Sequence, residues 1–216
     1  MSDAASIEID DAVIRSVERA CLDLYHANRT LAFHGWFHIR FVRAKAIAFA
    51  KENGANPALV ELAALTHDLN YFVGPKTDAR HGEEIRRRIL ADCGLQSNVS
   101  DLIEEVVQSA ETKNRQRNIS LEAQALSDAD TMFKALPFTP VMLSWRYMQE
   151  NDMKLADLAK KILGEQQPIS EAGYYFYSKA ALDQYSRWAA ANLELWRCVQ
   201  ESLSDPAALE LLKDLE

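Results

Sequence analysis

Two of the chain's five histidines stand where an apolar helix would ordinarily exclude them. His67 is followed directly by Asp68 at the end of the apolar run 62–65, and burying two ionisable groups there is costly without compensation. One divalent cation compensates an imidazole and a carboxylate together. His38 lies near the start of the preceding predicted helix. Antiparallel packing of that helix against the one ending at His67 brings the two imidazoles toward each other. Further along, Leu126-Ser-Asp-Ala-Asp-Thr-Met132 sets Asp128 and Asp130 inside another apolar helical pattern. Two neutral imidazoles and carboxylates from these pairs make a mixed nitrogen and oxygen ligand set, suited to Mn, Fe, Co, Ni, Zn or Mg. Taken singly, each feature has an ordinary reading: an interfacial histidine, a chance His-Asp step, a capping or solvated aspartate pair. The ordered combination is far more specific.

The elements that must position these residues read as successive helices. Apolar residues recur at helical spacing over 7–28, 37–53 and 57–69, with Gly54 ending the second and Asn56-Pro57 opening the third. Gly74-Pro75 marks a loop over 70–78. Helices are then expected over 79–92, from a capping pair Asn98 and Asp101 to 110, and over 120–135. Thr139-Pro140 opens a seventh helix, 153–163 an eighth, 173–203 a long aromatic-rich one, and Asp205-Pro206 a short last one. Strand signals are nearly absent.

This text resembles the HD-domain metal-dependent phosphohydrolases, whose signature is an ordered H…HD…D on an all-α scaffold. His38-Ile-Arg-Phe-Val42 is similar to the family's H-x-x-R-V helix start, with the arginine displaced by one position. Leu62-Ala-Ala-Leu-Thr-His-Asp-Leu69 resembles L-A-A-L-x-H-D-[IL], and Glu122-Ala-Gln-Ala-Leu-Ser-Asp-Ala-Asp-Thr-Met132 resembles E-A-x-x-[LV]-x-D-A-D-x-L. Phe176-Tyr-Ser-Lys-Ala-Ala181 followed by Arg187 resembles the long C-terminal helix of small bacterial members, so the likeness runs over 34–203.

The resemblance implies a compact all-α, multi-helix bundle with a long C-terminal helix. It divides into an N-terminal helix (1–30), a metal-binding core (31–136) and a helical part (137–216) completing the same domain. It implies one divalent metal ion on His38, His67, Asp68 and Asp130, the alignment favouring Asp130 over Asp128. Asp68 would also position the attacking water. The implied reaction is hydrolysis of a small-molecule phosphate ester, monoester or diester, nucleotides included. Two departures stand out. Gly35 replaces a carboxylate that relatives often carry in H-D-x-x-H. Of the extra histidines of two-metal members only His81 is a candidate, and Gln108-Ser109 stands where another would sit, which favours a single metal over two-iron oxygenase chemistry.

Such a reaction needs an acidified water and cationic donors for phosphoryl oxygens. Lys76, Arg80 and His81 follow the His-Asp pair, and Lys113 or Arg115 lies on the next loop. Adjacent Arg86, Arg87 and Arg88 point in different directions and read as exposed or paired with Glu83 and Glu84. The face of Lys154, Asp157, Lys160 and Lys161 reads as solvated. Tyr174 to Tyr177, Trp188 and Trp196 read as packing before one wall of a base-stacking pocket, and Trp36, Phe37, Tyr71 and Phe72 as shields of the metal before substrate contacts.

Composition narrows the rest. The 216 residues carry a net charge of −8, which repels nucleic-acid polymers. Three scattered cysteines suggest no disulfide framework, and no apolar run approaches the roughly 20 residues of a membrane span. With no secretory signal read at the N-terminus, the expectation is a cytoplasmic protein. The competing class is a non-catalytic module that keeps the metal for stability or nucleotide binding.

Overall fold

The computed structural model describes residues 7–28, 30–112, 118–173 and 175–213. Among these residues it contains α-helices, short 3₁₀ turns and no strand. The helices are α1 (Asp11–Ala27), α2 (Trp36–Asn53), α3 (Pro57–Thr66), α4 (Glu83–Asp92), α5 (Ser97–Ala110) and α6 (Leu121–Ala135). They continue as α7 (Thr139–Met142), α8 (Ser144–Asn151), α9 (Leu155–Glu171), α10 (Lys179–Ser202) and α11 (Pro206–Lys213). No described helix is long and apolar enough to cross a membrane.

Local chemistry sets most boundaries. The Asp10 carboxylate accepts the Ala12 N–H at 2.7 Å and starts α1 four residues later than its apolar spacing suggests. Asn56 accepts from Ala58 and Leu59, with Pro57 supplying the preset φ of a first helical residue. Gly54 ends α2 at φ 82°, a left-handed conformation that suits glycine. Ser120 and Ser178 cap α6 and α10 through the N–H groups of Ala123 and Ala181.

Other expected boundaries shift. Neither Asn98 nor Asp101 caps α5: the helix already begins at Ser97, and Asp101 pairs with Arg87. The 173–203 helix begins only at Lys179. The third helix stops at Thr66, and a 3₁₀ turn follows over Leu69–Phe72. His67 and Asp68 therefore occupy a sharp bend rather than a helix interior.

The core forms around α2 and α6, which pack on each other and both on α3. Small residues make this possible: Ala123, Ala125, Ala129 and Ala135 are buried on α6, and Ala46 and Ala50 on α2. Helix α5 packs on α3 and α6, and α10 covers α6 and α9. Three of the four implied ligands thus sit on the most buried part of the molecule, at the start of α2 and the end of α3.

Arg86 departs from its sequence reading. It is fully buried rather than exposed, and its partner is Glu104 of α5, not Glu83 or Glu84. The guanidinium grips both carboxylate oxygens at 2.6 and 2.8 Å and donates to the carbonyls of Thr66 (3.2 Å) and Ala79 (2.8 Å). Arg86 thereby satisfies the last carbonyl of α3, one residue before His67. Arg87 does pair with Glu83, at 2.7 Å, and Arg88 is exposed. The 3₁₀ turn Ala79–Gly82 lies so close to the bend that a side chain at Gly82 would meet the Asn70 nitrogen at 2.6 Å.

Candidate metal centre

His38 Nε2 faces His67 Nε2 at 3.3 Å, Asp68 Oδ2 at 3.0 Å and Asp130 Oδ1 at 3.6 Å. His67 Nε2 lies 3.3 Å from the same Asp68 oxygen. His67 Nδ1 donates to the Ala64 carbonyl at 2.9 Å. A carbonyl only accepts, so Nδ1 carries the hydrogen and Nε2 of the neutral ring presents a lone pair. Burial pushes the His67 pKa down and keeps the ring in this neutral form. Burial alone would raise Asp68, but His67, the His38 contact and His34 outweigh it and hold the carboxyl below its usual 3.8.

The Asp68 carboxylate and the His67 lone pair therefore converge on a single ring nitrogen of His38, which cannot donate to both. Asp68 Oδ2 is buried without a well-formed hydrogen bond, and so is His38 Nδ1. A divalent cation fits this arrangement. Two nitrogens each about 2.1 Å from a common ion stand roughly 3.0 Å apart around an octahedral ion and about 3.4 Å apart around a tetrahedral one. The observed 3.3 Å between the two Nε2 atoms falls in that interval.

The two aspartates of α6 separate cleanly. Asp128 is fully buried and accepts the backbone N–H groups of Tyr177 and Ser178, each at 2.7 Å, fixing the entry to α10. Asp130 turns Oδ1 toward His38 and gives Oδ2 to Lys134 Nζ at 2.6 Å. Burial would raise Asp130, but Lys134 and then His38 hold its pKa down. Burial opposes the charge on Lys134, and Asp130 more than restores it. Thr112 Oγ1 lies 3.4 Å from the same ammonium.

The cluster opens into a cavity of about 490 Å³, lined by His67, Asp68 and Asp130 and by Lys76, Lys134 and Lys161. Leu126, Met153, Leu158, Ile162 and Trp196 supply apolar wall. Of the expected phosphate donors, Lys76 reaches this cavity, from a backbone at φ 61°. Arg80 and His81 do not line it. Their 3₁₀ turn buries Ala79 and Gly82, which leaves both side chains outward, and His81 Nδ1 pairs with Asp78 at 2.7 Å. Lys113 and Arg115 lie outside the described residues. Lys161 is a correction in the other direction: it was expected on a solvated face, yet it lines the cavity and pairs with Glu165. Lys134 went unmarked in the sequence, although its place one turn after Asp130 is a usable signal for such a pair. Among the described residues no second group of three His, Cys, Asp or Glu side chains converges in the same way.

The aromatic residues divide as their burial dictates. Tyr175 and Phe176 are packed inside, while Tyr174 lies outside the described residues. Tyr71 lines the cavity and stacks on His34, ring centroids 3.5 Å apart. Phe72 packs edge-on against Tyr25. Phe37 is exposed, with the Arg146 guanidinium over its ring.

A carboxylate does reach the loop before α2, from α8. Glu150 accepts the N–H groups of Phe33 (2.8 Å) and His34 (3.1 Å) and pairs with His34 Nδ1. Burial would raise Glu150, but these contacts, led by His34, hold it below its ordinary 4.5. A lowered folded-state pKa stabilises the fold above the unfolded value, and that stability is lost as pH falls through the folded value. Glu150→Gln is therefore expected to cost about 1.5–3 kcal/mol at pH 7. Urea titrations should show the deficit shrinking below pH 4.5. A deficit equal at pH 7 and pH 3.5 would contradict the assignment.

Residues 36–133 match the family model described as "HD domain", and that stretch holds all four converging side chains. The chain carries an HD domain. A Lactobacillus plantarum protein solved as structural genomics target LpR71 superposes on it with a TM-score of 0.72 at 18% identity, covering 91% of this chain and 99% of that one. Bacillus subtilis YpgQ, solved in complex with ADP, superposes with a TM-score of 0.58 at 18% identity, covering 88% and 97%. These similarities show a common fold that extends beyond the matched stretch. No functionally curated protein matches the chain.

Proposed function

We propose that this HD domain hydrolyses a phosphate ester with the help of one divalent cation held by His38, His67, Asp68 and Asp130. The observation that carries the reading is the convergence of two imidazole Nε2 atoms and Asp68 Oδ2 within 3.0–3.3 Å of one another, with the His67 lone pair fixed from behind by Ala64. When bound, the cation supplies an acidified water and neutralises charge developing on the phosphoryl oxygens. Asp68, ionised and open to the cavity, accepts a hydrogen bond from the attacking water and orients it. Lys76, which lines the cavity, meets phosphate oxygens in this reading. The fold shared with YpgQ, whose structure contains ADP, supports a nucleotide as the ester, and the apolar wall offers a surface for its base.

The full chain, supplied in turn with Mn, Co, Ni and Mg, is expected to release phosphate from aryl phosphates or nucleotides with at least one of these ions. Metal at a hundred times its dissociation constant adds about 2.7 kcal/mol of stability. For a domain of this size that raises Tm by roughly 5–10 °C. Chelation should reverse both effects. Absence of turnover with every metal defeats the hydrolase reading, and a Tm rise with ADP in that case identifies a binding module.

A further inference from the structure

We propose that Lys134 is a phosphate-binding residue, receiving a phosphoryl oxygen directly beside the metal ligands. This rests on the phosphohydrolase reading of the cavity and assigns it a residue that the sequence motifs do not contain. Lys134 lies one helical turn after Asp130, on the same face of α6. An ammonium has three N–H donors. One reaches Asp130 at 2.6 Å, and a second is within 3.4 Å of Thr112 Oγ1. The side chain keeps 30% of its surface, and it lines the cavity. The remaining donor is therefore available to a cavity ligand.

The other lysines of the wall are placed differently. Lys161 is committed to Glu165, and Lys76 stands on an exposed loop. Of the described lysines of the wall, only Lys134 pairs with a residue of the ligand cluster. Charge gives this position its weight. The described cavity wall holds Lys76, Lys134 and Lys161 against Asp68, Glu111, Asp130 and Glu165, so it is negative by one. A divalent cation reverses the sign. A phosphate anion then meets two adjacent positive charges, the ion and the Lys134 ammonium, in a partly desolvated setting where charged hydrogen bonds are strong. Asp130 serves both: one oxygen faces His38 and the other holds Lys134, which fixes the spacing between the two charges.

The test uses the full chain loaded with saturating Mn and inorganic phosphate as the probe, with both affinities measured by calorimetry. Lys134→Met removes the charge and keeps the stem, and Lys134→Gln keeps a donor should the first variant fold poorly. Loss of a charged hydrogen bond is expected to weaken phosphate binding roughly tenfold or more in either variant. Phosphate affinity within about twofold of the wild type at saturating Mn, alongside weakened Mn binding, overturns the proposal and leaves Lys134 as a support for Asp130 alone. A wild-type chain that binds Mn and phosphate, with variants equal to it, removes this inference only. A wild-type chain that binds no Mn removes the metal-site reading beneath it as well.

Discussion

His67→Ala is expected to abolish phosphate-ester hydrolysis and Mn binding together. The imidazole presents its Nε2 lone pair because Nδ1 is committed to Ala64, and alanine offers no ligand in its place. Asp68→Asn should act nearly as strongly while changing almost no volume. It removes the negative charge of the carboxylate whose Oδ2 faces both imidazoles, at 3.0 and 3.3 Å. Metal catalysis supplies several kcal/mol of transition-state stabilisation, so kcat/KM should fall on the order of 10³-fold or more for either variant. Asp128→Asn is the control that separates ligation from folding. Its carboxylate holds the N–H groups of Tyr177 and Ser178, so its loss should lower Tm and leave Mn affinity in place. Calorimetric Mn titration of the three variants is the measurement. Full activity of Asp68→Asn in chelator-treated protein would remove the metal from the mechanism.

Arg86→Ala should be the most destabilising single change in the core, at about 3–5 kcal/mol, because it strands Glu104 as an unpaired buried carboxylate. The pair is almost completely removed from water, with 0% and 4% of the two side chains exposed. Domains are typically stable by only 5–15 kcal/mol, so a loss of this size is visible directly in urea midpoints. Replacing both partners, as Arg86→Met with Glu104→Leu, should recover much of the loss, since it removes the stranded charge. The recovery should be incomplete. The carbonyls of Thr66 and Ala79 would still lack the donors that Arg86 provides. The Thr66 carbonyl adjoins His67, so the folded double variant should also bind Mn more weakly. A loss below about 1 kcal/mol for Arg86→Ala would show that water reaches this pair in solution.

The implied ligands were legible along the chain because their signals are local. An imidazole and a carboxylate closing an apolar helix, and two aspartates inside another, are anomalies visible without knowing what lies opposite. The helices were legible for the same reason: Asn56-Pro57 and Gly54 act on residues within one turn. What packs against a residue is not local. Arg86, Arg87 and Arg88 are equivalent on paper, yet Arg86 alone is drawn inside, onto the buried Glu104 of α5, while Arg87 pairs with the exposed Asp101 of the same helix. Arg80 and His81 share a loop with Lys76 but lie on a turn whose buried side is taken by Ala79 and Gly82.

By itself, then, the sequence determined an all-α chain with an ordered His, His-Asp, Asp set, because helical periodicity and out-of-place ionisable groups are properties of neighbouring residues. The resemblance favoured Asp130 over Asp128, but the tertiary structure alone decided that Asp128 braces the start of α10, and that Lys134 and Lys161 line a cavity. A charged side chain is stabilised by whatever stands across from it, and that partner comes from tens of residues away.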